Sequence, residues 1–161
     1  MSCFPFFLRL GLVATLVTGG AHCGWSAVEP DSHTLPVKTE SGLTLNKGNP
    51  WQTDAPLRKG MENIQRDIRE ALPRIHAGTQ KPKQYSALAK KLHSHVNFIT
   101  RNCKLTPEAD AQLHIVLGGV IQGALALQEI GMQASGAAKV VHALDLYGRH
   151  FDHPGWQPVS H

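Results

Sequence analysis

Residues 101–114 read RNCKLTPEADAQLH, and they mark the place where one helix ends and the next begins. Thr106 is a residue type that caps helix N-termini, Pro107 suits the first helical turn, and an acidic residue follows near the positive helix end. Apolar residues at spacings of three or four lead up to Cys103 and start again at Leu113. The stretch therefore predicts two helices joined by a short turn.

The same periodicity predicts four helices along the chain. They cover about residues 53–78, 82–103, 107–130 and 134–151. Pro73 is expected to kink or end the last turn of the first helix. Aromatic residues make up only 6 % of the chain, and Gly and Pro collect at a few boundaries, which favours helices over strands. The predicted fold class is all-α, an antiparallel up-down four-helix bundle.

The first residues have the pattern of a secretory signal peptide. Arg9 precedes a short apolar run over residues 10–17, and small residues follow. The run is much shorter than the ~20 apolar residues that span a bilayer, so we expect no transmembrane segment in the mature chain. We predict a signal peptide over residues 1–27, cleaved between 21 and 27, and a periplasmic protein. Lipidation at Cys23 is the less favoured alternative, because GGAHC lacks the usual Leu three positions before the cysteine.

The remainder divides into an arm, the helices and a tail. Residues 28–52 are rich in Pro, Ser, Thr, Gly and Asn without helical periodicity, which predicts a flexible arm. The predicted bundle covers residues 53–156, and residues 157–161 form a tail.

The three cysteines leave two alternatives open. Cys3 is lost with the leader, and Cys103 is the only remaining thiol if cleavage also removes Cys23. If Cys23 survives, a disulfide between Cys23 and Cys103 is conceivable in an oxidising compartment. The apolar stripe of the second helix includes Cys103, which predicts a buried thiol.

Charge and motifs argue against several functional classes. The formal net charge of +4 comes from scattered Lys and Arg, which gives little support to nucleic-acid binding. The sequence contains no CxxCH, HExxH, GxxxxGK[ST] or GxSxG pattern. We therefore expect no catalytic residues and a protein that is not an enzyme.

Histidine is the residue type that suggests a site, because imidazole is the commonest metal ligand. His95 and His114 lie level with each other if the chain turns near residues 104 and 105, and His153 is the preferred third ligand. Asp152 is an alternative, and so is His150, although the helical periodicity places His150 towards solvent. The hypothesis is a copper or zinc site.

Three motifs resemble a family of small exported proteobacterial helical proteins whose function is uncharacterised. They are PWQTDAPLRKGM at 50–61, NCKLTPEADAQLH at 102–114 and FDHPGW at 151–156. The resemblance implies export and a helical architecture, and it implies no catalytic residues. Two functions remain: a non-enzymatic periplasmic bundle that contacts an unknown protein or envelope partner, or a periplasmic copper- or zinc-binding protein.

Overall fold

The structure is a computed structural model, and it describes residues 42–159. These residues form four helices: α1 (Ala55–His76), α2 (Pro82–Asn102), α3 (Pro107–Ala126) and α4 (Gln133–His150). Two short strands, β1 (Trp51–Gln52) and β2 (Phe151–Asp152), pair in parallel. The predicted all-α class is confirmed. The predicted signal peptide, residues 28–41 of the predicted arm and residues 160–161 of the tail lie outside the described residues.

Local sequence explains where the helices begin. The Asp54 carboxylate accepts a hydrogen bond from the Leu57 N–H at 2.8 Å and caps α1. The Thr106 hydroxyl accepts from the Ala109 N–H at 3.3 Å and caps α3. Proline occupies the first turn of α1, α2 and α3, where its missing N–H costs no helical hydrogen bond.

Pro73 does not end α1, which continues to His76. The proline ring lies on the exposed side of the helix, while Leu72 and Ile75 on either side of it are buried. Packing of these two residues holds the last turn in place, because helix stability in proteins comes mainly from a buried apolar face.

α3 ends at Ala126, four residues before the predicted end. The chain then turns, and Gly131 adopts a φ of +82°, a left-handed conformation that favours glycine. Ile130 is 98 % exposed, so an additional helical turn would have no apolar contact to stabilise it.

The four helices contact one another in a closed cycle, in which α1 and α3 each contact α2 and α4. No helix within residues 42–159 combines the length and the apolar character needed to cross a membrane. The core is mainly aliphatic and includes the aromatic residues Tyr147 and Phe151. Its largest fully buried members are Tyr147, Leu43, Leu57, Met61, Ile64, Ile68, Leu92, Ile99, Leu113, Leu127, Leu144 and Val116.

Glycines bring α3 and α4 close together. A Cβ atom on Gly123 would lie 2.6 Å from Cγ2 of Val140, and one on Gly136 would lie 2.7 Å from the Leu127 nitrogen. Gly118 differs, since a Cβ atom there would meet nothing within 4 Å. Glycine therefore permits close helix contact at Gly123 and Gly136 but not at Gly118.

Residues 42–52, the described part of the predicted flexible arm, contact the helices. Leu43 is fully buried in the core. The Thr44 N–H donates to Oε1 of Gln112 at 2.8 Å, and the Trp51 indole N–H donates to the Thr44 carbonyl at 2.7 Å. The leucine supplies apolar contact that composition alone does not reveal.

Candidate functional site

The three motifs that carry the family resemblance meet at one end of the helices, which we call the strand-pair end (residues 50–54, 103–106 and 151–153). The Gln52 amide donates to Oδ2 of Asp152 at 3.1 Å, and the Thr53 hydroxyl donates to the Asp152 carbonyl at 2.6 Å. The Lys104 N–H donates to Oδ2 of Asp54 at 2.6 Å. These hydrogen bonds link residues 52–54 to Asp152 and to Lys104, so the polar residues of the three motifs have a structural role.

A buried histidine links α4 to α1 beside the strand-pair end. His153 Nδ1 lies 2.9 Å from the Tyr147 hydroxyl, and Nε2 lies 3.1 Å from Oε1 of Glu62. A carboxylate only accepts, so Nε2 carries a proton and donates to Glu62; in the neutral ring Nδ1 then accepts from the tyrosine hydroxyl. Both ring nitrogens therefore have partners, which leaves neither free to bind a metal.

Tyr147 is fully buried, and this burial raises the pKa of its phenol well above the ordinary value of 10.0. The neighbouring Glu62 and Asp54 carboxylates raise it further, whereas Arg58 lowers it. The phenol is therefore a neutral hydrogen-bond donor at physiological pH.

Aromatic rings surround this histidine and tyrosine. The Phe151 ring stacks on Tyr147 with 5.1 Å between centroids, and Trp156 meets Tyr147 edge-on at 4.9 Å. A Cβ atom on Gly148 would lie 2.6 Å from Nε1 of Trp156, so glycine leaves the space that the indole occupies. Ring packing and two hydrogen bonds therefore hold the segment around His153 in place.

The tail after Trp156 also contacts α1. The Gln65 side-chain amide donates to the Gln157 carbonyl at 2.7 Å, and Arg69 donates to the same oxygen at 3.2 Å. Val159 packs against the core. The first residues of the predicted tail thus belong to the folded part of the chain.

His95 belongs to an ion-pair cluster between α1 and α2. Its Nε2 lies 2.9 Å from Oδ2 of Asp67, whose carboxylate is buried. Lys91 and Arg66 approach the other carboxylate oxygen at 3.7 and 3.6 Å. A buried carboxylate needs such partners, so this cluster explains His95 without a metal.

His114 faces solvent, with 67 % of its side chain exposed. Its Nδ1 lies 2.8 Å from the carbonyl of Asp110, one turn earlier on α3. The structure thus gives His95, His114 and His153 three separate sets of partners. Across residues 42–159, no group of three or more His, Cys, Asp or Glu side chains is arranged to hold a metal ion. The proposed three-histidine site is not brought together.

The two alternative ligands, His150 and Asp152, also have hydrogen-bond partners within the protein. His150 is buried, and its Nδ1 lies 2.8 Å from the Leu146 carbonyl. The prediction that His150 faces solvent is wrong, because His150 follows Tyr147 by three positions and shares its side of α4. Asp152 pairs with Gln52 at the strand-pair end.

Cys103 is partly buried at the C-terminal cap of α2 and forms no disulfide with any described residue. Burial is the main cause that raises the pKa of its thiol above 9.0, and the Asp54 and Asp110 carboxylates raise it further. A protonated thiol is a weak nucleophile and a weak metal ligand at neutral pH. The sequence predicts a buried thiol, and the structure buries Cys103 only in part.

A cavity of about 180 Å³ lies between α1 and α2. Gln80, in the loop that joins these helices, lines this cavity and is only 7 % exposed, yet its amide nitrogen and oxygen have no hydrogen-bond partner among the described residues. Sequence reasoning missed this residue because a loop glutamine has no periodicity that predicts burial. The polar residues lining the cavity are Asp67, Glu70, Arg74, Gln80, Gln84 and Lys91.

Exposed apolar residues lie along α3 and in the turn after it, beside the exposed polar residues His114 and Gln122. We define the α3 surface as Ile115, Ile121, Leu125, Ile130 and Met132. Leu125 is 51 % and Ile130 98 % exposed, and Ile115 and Met132 are each exposed by about two fifths. α3 contains no Lys or Arg, and its only carboxylates are near its start.

No protein-family model, no curated protein and no solved structure matches this chain. The resemblance that the three motifs suggest therefore stays a prediction.

Proposed function

We propose that the mature chain is a non-enzymatic periplasmic protein, an antiparallel up-down four-helix bundle that acts by binding another protein through the α3 surface. The observation that carries the proposal is the exposure of Ile115 and Leu125 on a stretch of α3, residues 111–126, that contains no Asp, Glu, Lys or Arg. Scattered exposed apolar residues are ordinary, but an apolar group along one helix is typical of an interaction site.

Helical geometry places the central members of the α3 surface together. Ile115, Ile121 and Leu125 lie on the outward side of α3 within about 120° at ~100° per residue. Gly118 lies between them, and a Cβ atom there would meet nothing within 4 Å. The glycine leaves a shallow depression between larger side chains, which suits a protruding side chain of a partner.

The charge of α3 favours a protein over a lipid surface as the partner. Helices that bind membranes usually place Lys or Arg beside their apolar face, together with aromatic residues. α3 has neither, and Glu108 and Asp110 at its start would be repelled by anionic lipid headgroups.

The hydrogen bonds of the candidate chemical groups support a non-enzymatic role. Both ring nitrogens of His153 have hydrogen-bond partners, and His95 pairs with Asp67. The raised pKa of Cys103 keeps its thiol protonated at neutral pH. A nucleophile or general base needs a free lone pair within reach of a substrate. The leader pattern over residues 1–27 supports the periplasmic location.

Photo-crosslinking in cells that export the protein tests this proposal. A photoreactive amino acid replaces Leu125 in one variant and Lys90, an exposed residue on α2, in the control. We expect a discrete protein adduct from position 125 that is absent from position 90. An additional Ile115→Glu substitution should remove the adduct, while the circular-dichroism spectrum stays helical.

Adducts with lipid alone, or equal adducts from both positions, would contradict the proposal. An adduct with a second copy of the chain would identify self-association as the protein contact. The intact mass of the protein isolated from the periplasm tests export separately, because loss of 21 to 27 residues should be visible directly.

A further inference from the structure

A second row of residues on α3 faces away from the core. We call this row the outer seam: Ala111, Ile115, Gly118, Gln122 and Leu125, at spacings of four, three, four and three. All five are exposed or partly exposed, while the opposite side of α3 packs against α2 and α4. A mean spacing of 3.5 residues is the repeat at which one helix packs along another. The outer seam therefore has the pattern of a helix contact, and no helix within residues 42–159 covers it.

The side-chain sizes of the outer seam are complementary about Gly118. This glycine lies seven residues from both Ala111 and Leu125. If two α3 helices pair antiparallel about a two-fold axis at Gly118, the large Leu125 of each copy lies level with the small Ala111 of the other. Ile115 then lies level, to within one residue, with the methylene groups of Gln122. Large side chains that face small ones interdigitate.

The backbones of two copies can approach each other at this axis. A Cβ atom on Gly118 would meet nothing within 4 Å, so no side chain of the described chain fills this space. A parallel pair would fit less well, because it sets Leu125 against Leu125 and Ala111 against Ala111. It would also align the two helix dipoles, whereas the antiparallel pair sets the positive end of each helix beside the negative end of the other.

The charge distribution favours a second copy as the occupant. Residues 111–126 contain no Asp, Glu, Lys or Arg, so a second α3 brings no unpaired charge into the contact. The formal net charge of +4 makes two copies repel each other over the rest of their surface. The uncharged part of α3 is therefore a place where two copies can meet without placing like charges together.

We infer that the α3 surface binds a second copy of this chain, through antiparallel pairing of two outer seams about a two-fold axis at Gly118. The inference rests on the proposed function, since it names the protein that the α3 surface binds. The outer seam is about 21 Å long at 1.5 Å per residue. A strip of that length and of one helix width is smaller than the ~800 Å² per partner of a standard interface, so the dimer is reversible and dissociates in the micromolar-to-millimolar range.

Sedimentation velocity of the mature chain from about 5 to 500 µM tests the pairing. We expect a reversible shift from monomer to dimer over this range. Ala111→Lys and Leu125→Glu should each raise the dissociation constant at least tenfold, because each places a charge in the contact. Ala87→Glu, at an exposed alanine on α2, is the matched control and should not change it. Circular dichroism checks that all variants stay helical.

Mixing the two α3 variants tests the antiparallel register. The ammonium group of Ala111→Lys lies level with the carboxylate of Leu125→Glu in the mixed pair, so the mixture should dimerise within about threefold of the wild type. A mixture that dimerises no better than either variant alone, or a dimer that neither substitution weakens, would refute this pairing.

A chain that stays monomeric throughout the concentration range would overturn the inference. The photo-crosslinking at position 125 then separates the two proposals. An adduct with a different protein would leave the proposed function standing with another partner, whereas the absence of any protein adduct would contradict both.

Discussion

Tyr147→Phe removes one buried hydroxyl and keeps the aromatic ring. The hydroxyl lies 2.9 Å from Nδ1 of His153, and the tyrosine is fully buried. Loss of this bond leaves a buried nitrogen without a partner, so we expect a destabilisation of about 1–3 kcal/mol at pH 7. For a domain of this size, each kcal/mol corresponds to roughly 3–5 °C in Tm.

The effect should disappear at high pH. Burial raises the pKa of Tyr147 above 10.0 in the folded state, so the unfolded chain loses this proton first. The stabilisation is complete below about pH 10, and each further pH unit then removes about 1.4 kcal/mol from the wild type. The variant lacks this group, so the stability difference between the two proteins should close between about pH 10 and 12.

Urea unfolding of both proteins at a series of pH values measures this difference. The chain contains only two tyrosines, so absorbance at 295 nm gives a second measurement. Tyr85 is partly exposed and should titrate in the folded protein, whereas Tyr147 should ionise only on unfolding. A stability difference that stays constant from pH 8 to 11.5, or ionisation of both phenols in the folded state, would refute the reasoning.

Three further predictions concern helix packing, capping and thiol chemistry. Gly118→Ala should stabilise the protein by about 0.5–1 kcal/mol, because the added methyl group meets no other atom. Gly123→Ala should destabilise it by about 1–3 kcal/mol, because its methyl group would overlap Val140. Chemical denaturation that gives both variants a stability change of the same sign would contradict the α3–α4 packing. Asp54→Ala removes both the α1 cap and the acceptor of the Lys104 N–H, so thermal unfolding should show a loss of about 1–3 kcal/mol, and Asp54→Asn should restore part of it. Cys103 should react slowly with a thiol reagent at pH 7.5 and faster above pH 9 or in denaturant; fast labelling of the native protein at neutral pH would contradict its raised pKa.

The helix starts were predictable because their signals are local. Asp54 and Thr106 cap the helices that follow them. A proline in the first turn is a further local signal of a helix start. The helix ends were less predictable, as Pro73 and Ile130 show. A proline is tolerated where the last turn is packed, and an apolar residue does not extend a helix where it has nothing to contact.

The candidate sites were less predictable still, because they depend on contacts between distant residues. Counting residues from the turn predicted that His95 lies level with His114 on α3, but the partner of His95 is Asp67 on α1. A shift of less than a quarter turn decides which neighbour a side chain on a helix meets. Helical periodicity does not give side-chain directions precisely enough to predict which neighbouring helix a side chain contacts.

The helical class, the starts of the helices and the apolar side of each helix follow from local sequence, because capping and periodicity act within a few residues. Contacts between distant segments determine that Leu43 joins the core and that His153 contacts Glu62, 91 positions earlier in the chain. They also bury the Gln80 amide without a hydrogen-bond partner among residues 42–159. These outcomes depend on how the segments outside the helices pack against them. Such packing depends on the shape and charge of the assembled surface, which no local pattern encodes.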